Sequence, residues 1–418
     1  MSRLLMVIAT TMMTGTAAAD TFDYDASFRA RHQQVNDQSL KNASATTLLA
    51  RLEASLKATD ALTFFAQYDH VWALDTDSYN SIAQFNDHAP IPDPPGGELN
   101  QFNLNWQFAA NWSAKLGRQA ISFDNERHIG SAAYWQNEQT FDAAALAYQN
   151  GFGWQFSYSY VDKVQRIYGD DSRTQLPRSD PRYQDNPIRP SSELGEHQHH
   201  SHLFNASQRV NANLKVSSFA YLLDNHSASQ FSSDTLGVHF EGALKPNQFK
   251  YNYTVELAWQ KEAANNPVNY QTWYLLTELG LQYQSHRIDV GYEYLGDDDG
   301  VGFQTSLGTN HKFLGWADVF SRYDELGGMR DIYVAYAGRK AKIRWKIVAH
   351  SFESLVTRQK LGDELDLELA WRYSRKWEFK LIAAYYRARE QADYNVINDT
   401  GMNNADISTW EVSAAYNF

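Results

Sequence analysis

Cysteine is absent from all 418 residues, so no disulfide framework holds this chain together. That absence is compatible with export through an oxidising compartment without requiring it. Long hydrophobic runs are missing as well. Beyond the first 20 residues, no segment offers the ~20 consecutive apolar residues that a membrane-spanning helix needs. Positive charge is in deficit, with 37 Lys and Arg against 49 Asp and Glu, a formal net charge of −12. This balance argues against a general nucleic-acid binder. The familiar catalytic strings are also lacking: there is no Gly-x-Ser-x-Gly elbow, no His-Glu-x-x-His and no P-loop.

What the chain has in excess is aromatic residues, with 25 Tyr, 22 Phe and 12 Trp making up 14% of it. Mean hydropathy is nevertheless −0.55. Many aromatics in a polar chain suggest a fold with one wet face and one apolar face throughout. At the N-terminus Arg3 is followed by the apolar stretch Leu4 to Met13 and then by Ala17-Ala18-Ala19. A basic start, a short apolar run and small residues at a cleavage site read as a secretory signal over 1–19, which leaves one domain over 20–418.

That domain alternates apolar and polar residues with period two. Phe22, Tyr24, Ala26, Phe28 and Ala30 share one face, against Asp23, Asp25, Ser27, Arg29 and Arg31. Leu48, Ala50, Leu52, Ala54 and Leu56 oppose Thr47, Arg51, Glu53, Ser55 and Lys57. The same pattern returns in Phe152–Tyr160, Phe249–Trp259 and Leu365–Tyr373. Runs of about ten residues match a tilted membrane strand. A soluble sandwich alternates too, so two further features decide. Apolar runs end on aromatics, including Trp112, Trp154, Trp259, Trp371, Trp377 and Trp410, as interfacial girdles do. Connections also alternate in length. Short turns fall near 58–60, 109–111, 150–151, 209–211, 245–248, 284–286, 338–341 and 374–376, with longer loops between them. This predicts an all-β, transmembrane antiparallel barrel of about 18 strands, with short periplasmic turns and long extracellular loops. So wide a barrel holds water or is plugged by its own loops. The segments near 122–139 and 297–328 are the expected inward-folding loops.

Several polar strings recur in order: Glu98-Leu99-Asn100-Gln101, Gly117-Arg118-Gln119, Asp124-Asn125-Glu126-Arg127 and Gln136-Asn137-Glu138-Gln139. Later come Phe303-Gln304-Thr305-Ser306-Leu307, His311-Lys312-Phe313 and Gly315-Trp316-Ala317-Asp318. This ordered set resembles the alginate-export porin family. The resemblance implies an 18-stranded barrel passing a solute across the outer membrane, with an Arg- and Lys-rich pore in the alginate exporter. This chain carries Tyr134-Trp135 where that family is expected to have Trp-Arg.

Charged strand residues belong on the lumenal face, because Arg on the lipid face costs roughly 2–4 kcal/mol at the midplane. Arg29, Arg31, Arg51, Arg118 and Arg127 are thus candidates for a pore-lining set, with Asp124 in the loop and Arg344 and Arg372 on later strands; Arg287, Lys342 and Lys346 raise the same question. Such cations attract anionic or hydroxyl-rich solutes. The alternative is that they brace the wall through inward carboxylates, Arg51 with Glu53 and Arg29 with Asp23 or Asp25. The loop Ser122–Gln139 is either the constriction or an ordinary rim cap. Asp297-Asp298-Asp299-Gly300 is rich in oxygen ligands but lacks EF-hand spacing and reads as a solvated loop. His197, His199, His200 and His202 invite zinc or copper, but no carboxylate or thiol stands at a known spacing, and the tract reads as a loop entering a strand. Trp72, Tyr134, Trp135 and Trp316 lie near or in loops, where an aromatic slide for sugars would sit.

These features point to an outer-membrane channel for hydrophilic solutes, anionic or sugar-like, with no cofactor implied. Its expected partners are membrane lipid, lipopolysaccharide and the solute, an acidic sugar being one candidate. An exporter of an acidic polysaccharide, an enzyme on a filled barrel and a surface adhesin are the rival readings.

Overall fold

The computed structural model describes residues 21–173, 175–184, 186–320, 327–389 and 405–418. The expected signal over 1–19 lies outside them. The first nine strands are β1 (Phe22–Asp37), β2 (Ala43–Thr59), β3 (Leu62–Ala73), β4 (Gly96–Ala109), β5 (Trp112–Gln119), β6 (Thr140–Gln149), β7 (Trp154–Gln165), β8 (Glu196–Asn211) and β9 (Leu214–Leu223). Next come β10 (Ser233–Leu244), β11 (Phe249–Glu262), β12 (Gln271–Tyr283) and β13 (His286–Leu295). A two-residue hairpin follows, β14 (Asp297–Asp298) with β15 (Val301–Gly302). The last five are β16 (Met329–Lys340), β17 (Ile343–Ser354), β18 (Lys360–Trp371), β19 (Trp377–Ala388) and β20 (Ile407–Asn417).

All strands but the small hairpin form one 18-stranded antiparallel sheet, each paired with its neighbour in sequence. The sheet closes when β20 pairs with β1, from Ser27 opposite Asn417 to Asp37 opposite Ile407. Closure removes every free edge, which is what backbone in a bilayer requires. The 18-stranded barrel read from the sequence is therefore the observed fold. Short turns at 60–61, 110–111, 150–153, 212–213, 245–248, 284–285, 341–342 and 372–376 gather at one end. The opposite end carries the long loops, notably 74–95, 120–139, 166–195 and 296–328.

Outward positions carry the apolar set. Leu52, Leu56, Phe64, Phe102, Trp106, Leu279, Val290 and Leu365 are all exposed on the outer face. Trp112, Trp154, Trp371 and Trp377 are exposed there as well. The buried core lies inside the lumen instead. Ile129 and Leu307 bridge the loops 120–139 and 296–328 and pack with Phe141, Leu203, Phe219, Phe303, Phe352 and Tyr386. Each such apolar side chain contributes roughly 1.5–3 kcal/mol when fully buried. The two loops come close at Gly308, where a Cβ would run into the carbonyl of Arg127. In the 297–300 turn, Asp297 accepts from the N–H of Gly300 at 3.2 Å and Asp298 from that of Gln271 at 2.8 Å.

A bulge between Val161 and Lys163 moves the alternation of β7 by one residue. That shift makes 162–165 unreadable as strand by simple period-two counting, and β7 runs further than the sequence pattern indicates.

Candidate solute-binding site

Loop 120–139 leaves β5, crosses the lumen and returns to β6. Its path is fixed by charged groups on distant strands. Near its start Asp124 takes a left-handed backbone conformation (φ 49°). Its carboxylate accepts from Ser217 at 2.6 Å and Asn205 at 2.9 Å and lies 3.6 Å from Lys215. Arg127 is fully buried, with Nε 2.6 Å from Glu293 of β13 and further bonds to Thr305 and Asn310. His128 meets Glu256 of β11 at 2.6 Å.

The far end of the loop is held by three arginines of β1 and β2. Arg29 donates to Gln136 at 2.8 Å and to the carbonyls of Ala133 and Trp135. Arg31 donates to the Tyr134 carbonyl at 3.1 Å and pairs with Asp93 at 3.5 Å and Glu411 at 3.1 Å. Arg51 makes a two-point pair with Asp69 and bonds Glu138 at 2.7 Å. These guanidiniums are bracing groups. Arg31 pairs with Asp93 and Glu411, Arg51 with Asp69 and Glu138, and Arg127 with Glu293, while Arg29 bonds only the amide and carbonyls of the loop; none uses the Asp23, Asp25 or Glu53 suggested by nearness in sequence. Removing one member of such a buried pair costs about 3–5 kcal/mol, since the partner charge stays behind.

The remaining candidates scatter. Arg118 is not lumenal. It stands opposite Phe102 and shares its face with Leu116 and Trp112, all exposed on the outer wall. There it forms a two-point pair with Asp142 at 2.7 and 3.0 Å. The lipid-face penalty that argued for the lumen depends on depth. At the loop end of β5, paired with a carboxylate, the cation escapes it. Arg344 and Arg372 do face inward, at the opposite mouth, where both lie 3.3 Å from Glu378 and remain largely exposed.

Between the loops lies a cavity of about 400 Å3. Its wall includes Tyr134, Trp135, Trp316, His311, Ile167 and Pro92. The Tyr134 ring is sandwiched, with the His311 ring 3.4 Å away on one side and the Arg31 guanidinium 4.5 Å away on the other. Its hydroxyl donates to Glu411 at 2.8 Å. Burial, together with that carboxylate, pushes the phenol well above its ordinary value. Of the residues considered for an aromatic slide, Tyr134, Trp135 and Trp316 line this cavity; Trp72 lies on the outer face, its ring tilted at 52° against that of His70.

The arginine on this cavity's wall is Arg166. Arg166, just beyond β7, donates to the Ser306 carbonyl at 2.7 Å. Among the described residues no carboxylate lies within ion-pair distance of it, and its Nε is enclosed without a protein partner. Burial lowers its affinity for a proton, with Tyr168 alongside opposing the effect. Sequence reasoning missed Arg166 because it stands in a long polar connection, and only the packing of four loops reveals what surrounds it.

On the turn side of loop 120–139 a second cavity of about 680 Å3 opens under Asn125. Arg209, Lys215, Lys245, Lys250 and Arg287 line it, with Glu241 and Glu278 as the facing carboxylates. The two cavities place a cationic group on either side of the crossing loop.

No protein-family model and no curated protein matches the sequence. Solved structures do match the fold. OccAB2 of Acinetobacter baumannii superposes with a TM-score of 0.72 at 11% identity, covering 97% of this chain and all of that one. OccAB4 of the same organism gives 0.69 at 11% identity, over 95% and 98%. The outer-membrane protein OpdK of Pseudomonas aeruginosa, in a structure with vanillate, gives 0.69 at 12% identity over the same shares. These comparisons overturn the resemblance to the alginate-export family: the structures matched are Occ and Opd outer-membrane proteins. The strings that carried the resemblance sit where loops are anchored to the wall. Arg127 with Glu293 and Gln136 with Arg29 show what those positions do in this chain: they fasten the inward loop to the barrel.

Proposed function

We propose that the chain is an outer-membrane channel for small anionic solutes, carboxylates foremost, and that Arg166 is the group they meet in the cavity above loop 120–139. The observation that carries this reading is the missing counter-charge. Arg31, Arg51, Arg118 and Arg127 each have a carboxylate and Arg29 is spent on Gln136 and loop carbonyls, whereas Arg166 lines the cavity with the wall carboxylates Asp37 and Asp318 outside ion-pair range of it. A guanidinium in that state offers two parallel N–H donors to a carboxylate. The rings of Tyr134, Trp135 and Trp316 suit a flat or aromatic body attached to it. The volume of about 400 Å3 lies within the range of small-molecule sites. The basic lining beyond the loop gives an anion its next stop. On this reading Arg29, Arg31, Arg51 and Arg127 shape the passage by holding the loop, and Arg344 and Arg372 border its far mouth. The signal over 1–19 directs export, and the outer wall meets lipid and lipopolysaccharide.

The test is the reversal potential of single refolded channels under a salt gradient. Anion preference that falls as ionic strength rises supports the proposal, since exposed lumenal charge is screened by salt. Cation preference, or a bilayer that stays closed at all voltages, overturns it.

A further inference from the structure

The histidine tract of β8 is divided by the pleat. His197 and His199 point inward and are buried, bonded to Asn225 and Ser201. His200 and His202 point outward. The pairing of β8 with β9 continues past Leu223: His199 bridges Asn225, the N–H of His200 donates to the Asp224 carbonyl at 2.9 Å, and that of His226 donates to the Gln198 carbonyl at 2.9 Å. This extra rung brings His200, Asp224 and His226 onto one outward face.

Their ligand atoms all lie within 4.8 Å of one another. His226 Nε2 stands 3.2 Å from Asp224 Oδ2, and the rings of His200 and His226 are 4.4 Å apart at 59°. The backbone under them is fixed. Asn225 accepts from the N–H groups of Ser227 and Ala228 at 3.0 and 2.9 Å and donates to His197 at 2.9 Å. The two imidazoles are exposed. A four-coordinate ion with ~2.0–2.1 Å bonds needs its ligand atoms ~3.3 Å apart, and the two exposed imidazoles are the groups with room to close the remaining distance.

We infer that His200, Asp224 and His226 form a binding site for one borderline divalent cation, of the zinc, copper or nickel kind, on the outer wall at the loop end of the barrel. Two imidazoles and a carboxylate select these ions over calcium and magnesium, which take oxygen ligands. Three protein ligands leave a position open, and His200 and Asp224 border a depression of about 470 Å3 whose wall also includes Glu262 and the Asp234–Lys261 pair. The site stands beyond the apolar band marked by Phe204 and Leu236, so ions reach it from water. A bound ion would fasten the 224–232 connection to β8. The inward pair His197 and His199 takes no part, which keeps the site separate from the solute route.

The test uses the full barrel, refolded in detergent without any affinity tag and titrated with zinc against a chromophoric chelator. Folding is checked by the heat-dependent gel mobility of each sample. One zinc per chain is expected, with His200→Ala and His226→Ala each weakening it at least tenfold and His286→Ala, on the turn side of the barrel, leaving it unchanged. If His200→Ala lowers the refolding yield, His226→Gln, which alters only an exposed connection, repeats the comparison. No saturable zinc binding by the parent barrel, or equal binding by the His226 variants, would falsify the site.

Discussion

The guanidinium of Arg31 lies 3.1 Å from the carboxylate of Glu411 across the seam where the last strand of the barrel meets the first, and both side chains are nearly dry. Asp93 approaches the same guanidinium from the 74–95 loop at 3.5 Å, and the carbonyl of Tyr134 receives one of its N–H groups. One cation therefore joins barrel closure to the position of the crossing loop.

Replacing Arg31 with Met keeps the bulk and removes the charge. Asp93 and Glu411 would then be left as neighbouring buried carboxylates, at a cost of about 3–5 kcal/mol. The expected results are a lower urea midpoint for the refolded barrel and noisier open-channel current as the 132–136 segment loosens. An unchanged midpoint with quiet current would show that the loop is held from elsewhere.

Tyr134 makes a prediction at alkaline pH. Its folded-state value is raised by burial, so the neutral phenol is favoured in the fold. Stability from this source is complete below the ordinary tyrosine value of about 10 and is lost as pH rises above it, because the unfolded chain releases the proton first. The slope is about 1.4 kcal/mol per pH unit for each such group. Urea midpoints measured from pH 9 to 11.5 should fall less steeply in Tyr134→Phe than in the parent. Parallel curves would mean that Tyr134 ionises as readily in the barrel as in water.

Arg118 tests the division between inner and outer wall. It pairs with Asp142 on the face shared with Phe102 and Leu116. Arg118→Ala should leave single-channel conductance and ion preference within experimental scatter, with a loss of at most about 1 kcal/mol, as for other solvent-accessible pairs. A clear drop in anion preference would place this guanidinium in the passage after all.

The barrel itself was legible because a strand's period of two and the contrast between short turns and long connections are local properties. Phe22 to Ala30 and Leu48 to Leu56 announce their outward faces without reference to the rest of the chain. The turn at 150–153 sits on an Asn-Gly pair that favours tight reversal. The site was harder to read because its contacts join residues far apart in sequence. Arg127 finds Glu293, Arg29 finds Gln136, and Asp224 completes a cluster with His200; spacing along the chain encodes none of these. Arg118 was misplaced by a rule about charge in lipid that weakens toward the membrane surface. Arg166 gave no signal in the sequence, since what sets it apart is a place on the cavity wall with no carboxylate in ion-pair range, visible only when four loops are packed together.

Recognition of a carboxylate by Arg166 is tested most directly by liposome swelling with a matched pair of solutes, benzoate and benzamide, on the parent channel and Arg166→Gln. The two solutes share size and ring and differ in charge. The parent should admit benzoate faster than benzamide by about tenfold, equivalent to 1.4 kcal/mol, and Arg166→Gln should bring the two rates together while the benzamide rate stays put. Equal rates in the parent, or a benzoate advantage that survives in Arg166→Gln, would contradict a passage guided by this guanidinium.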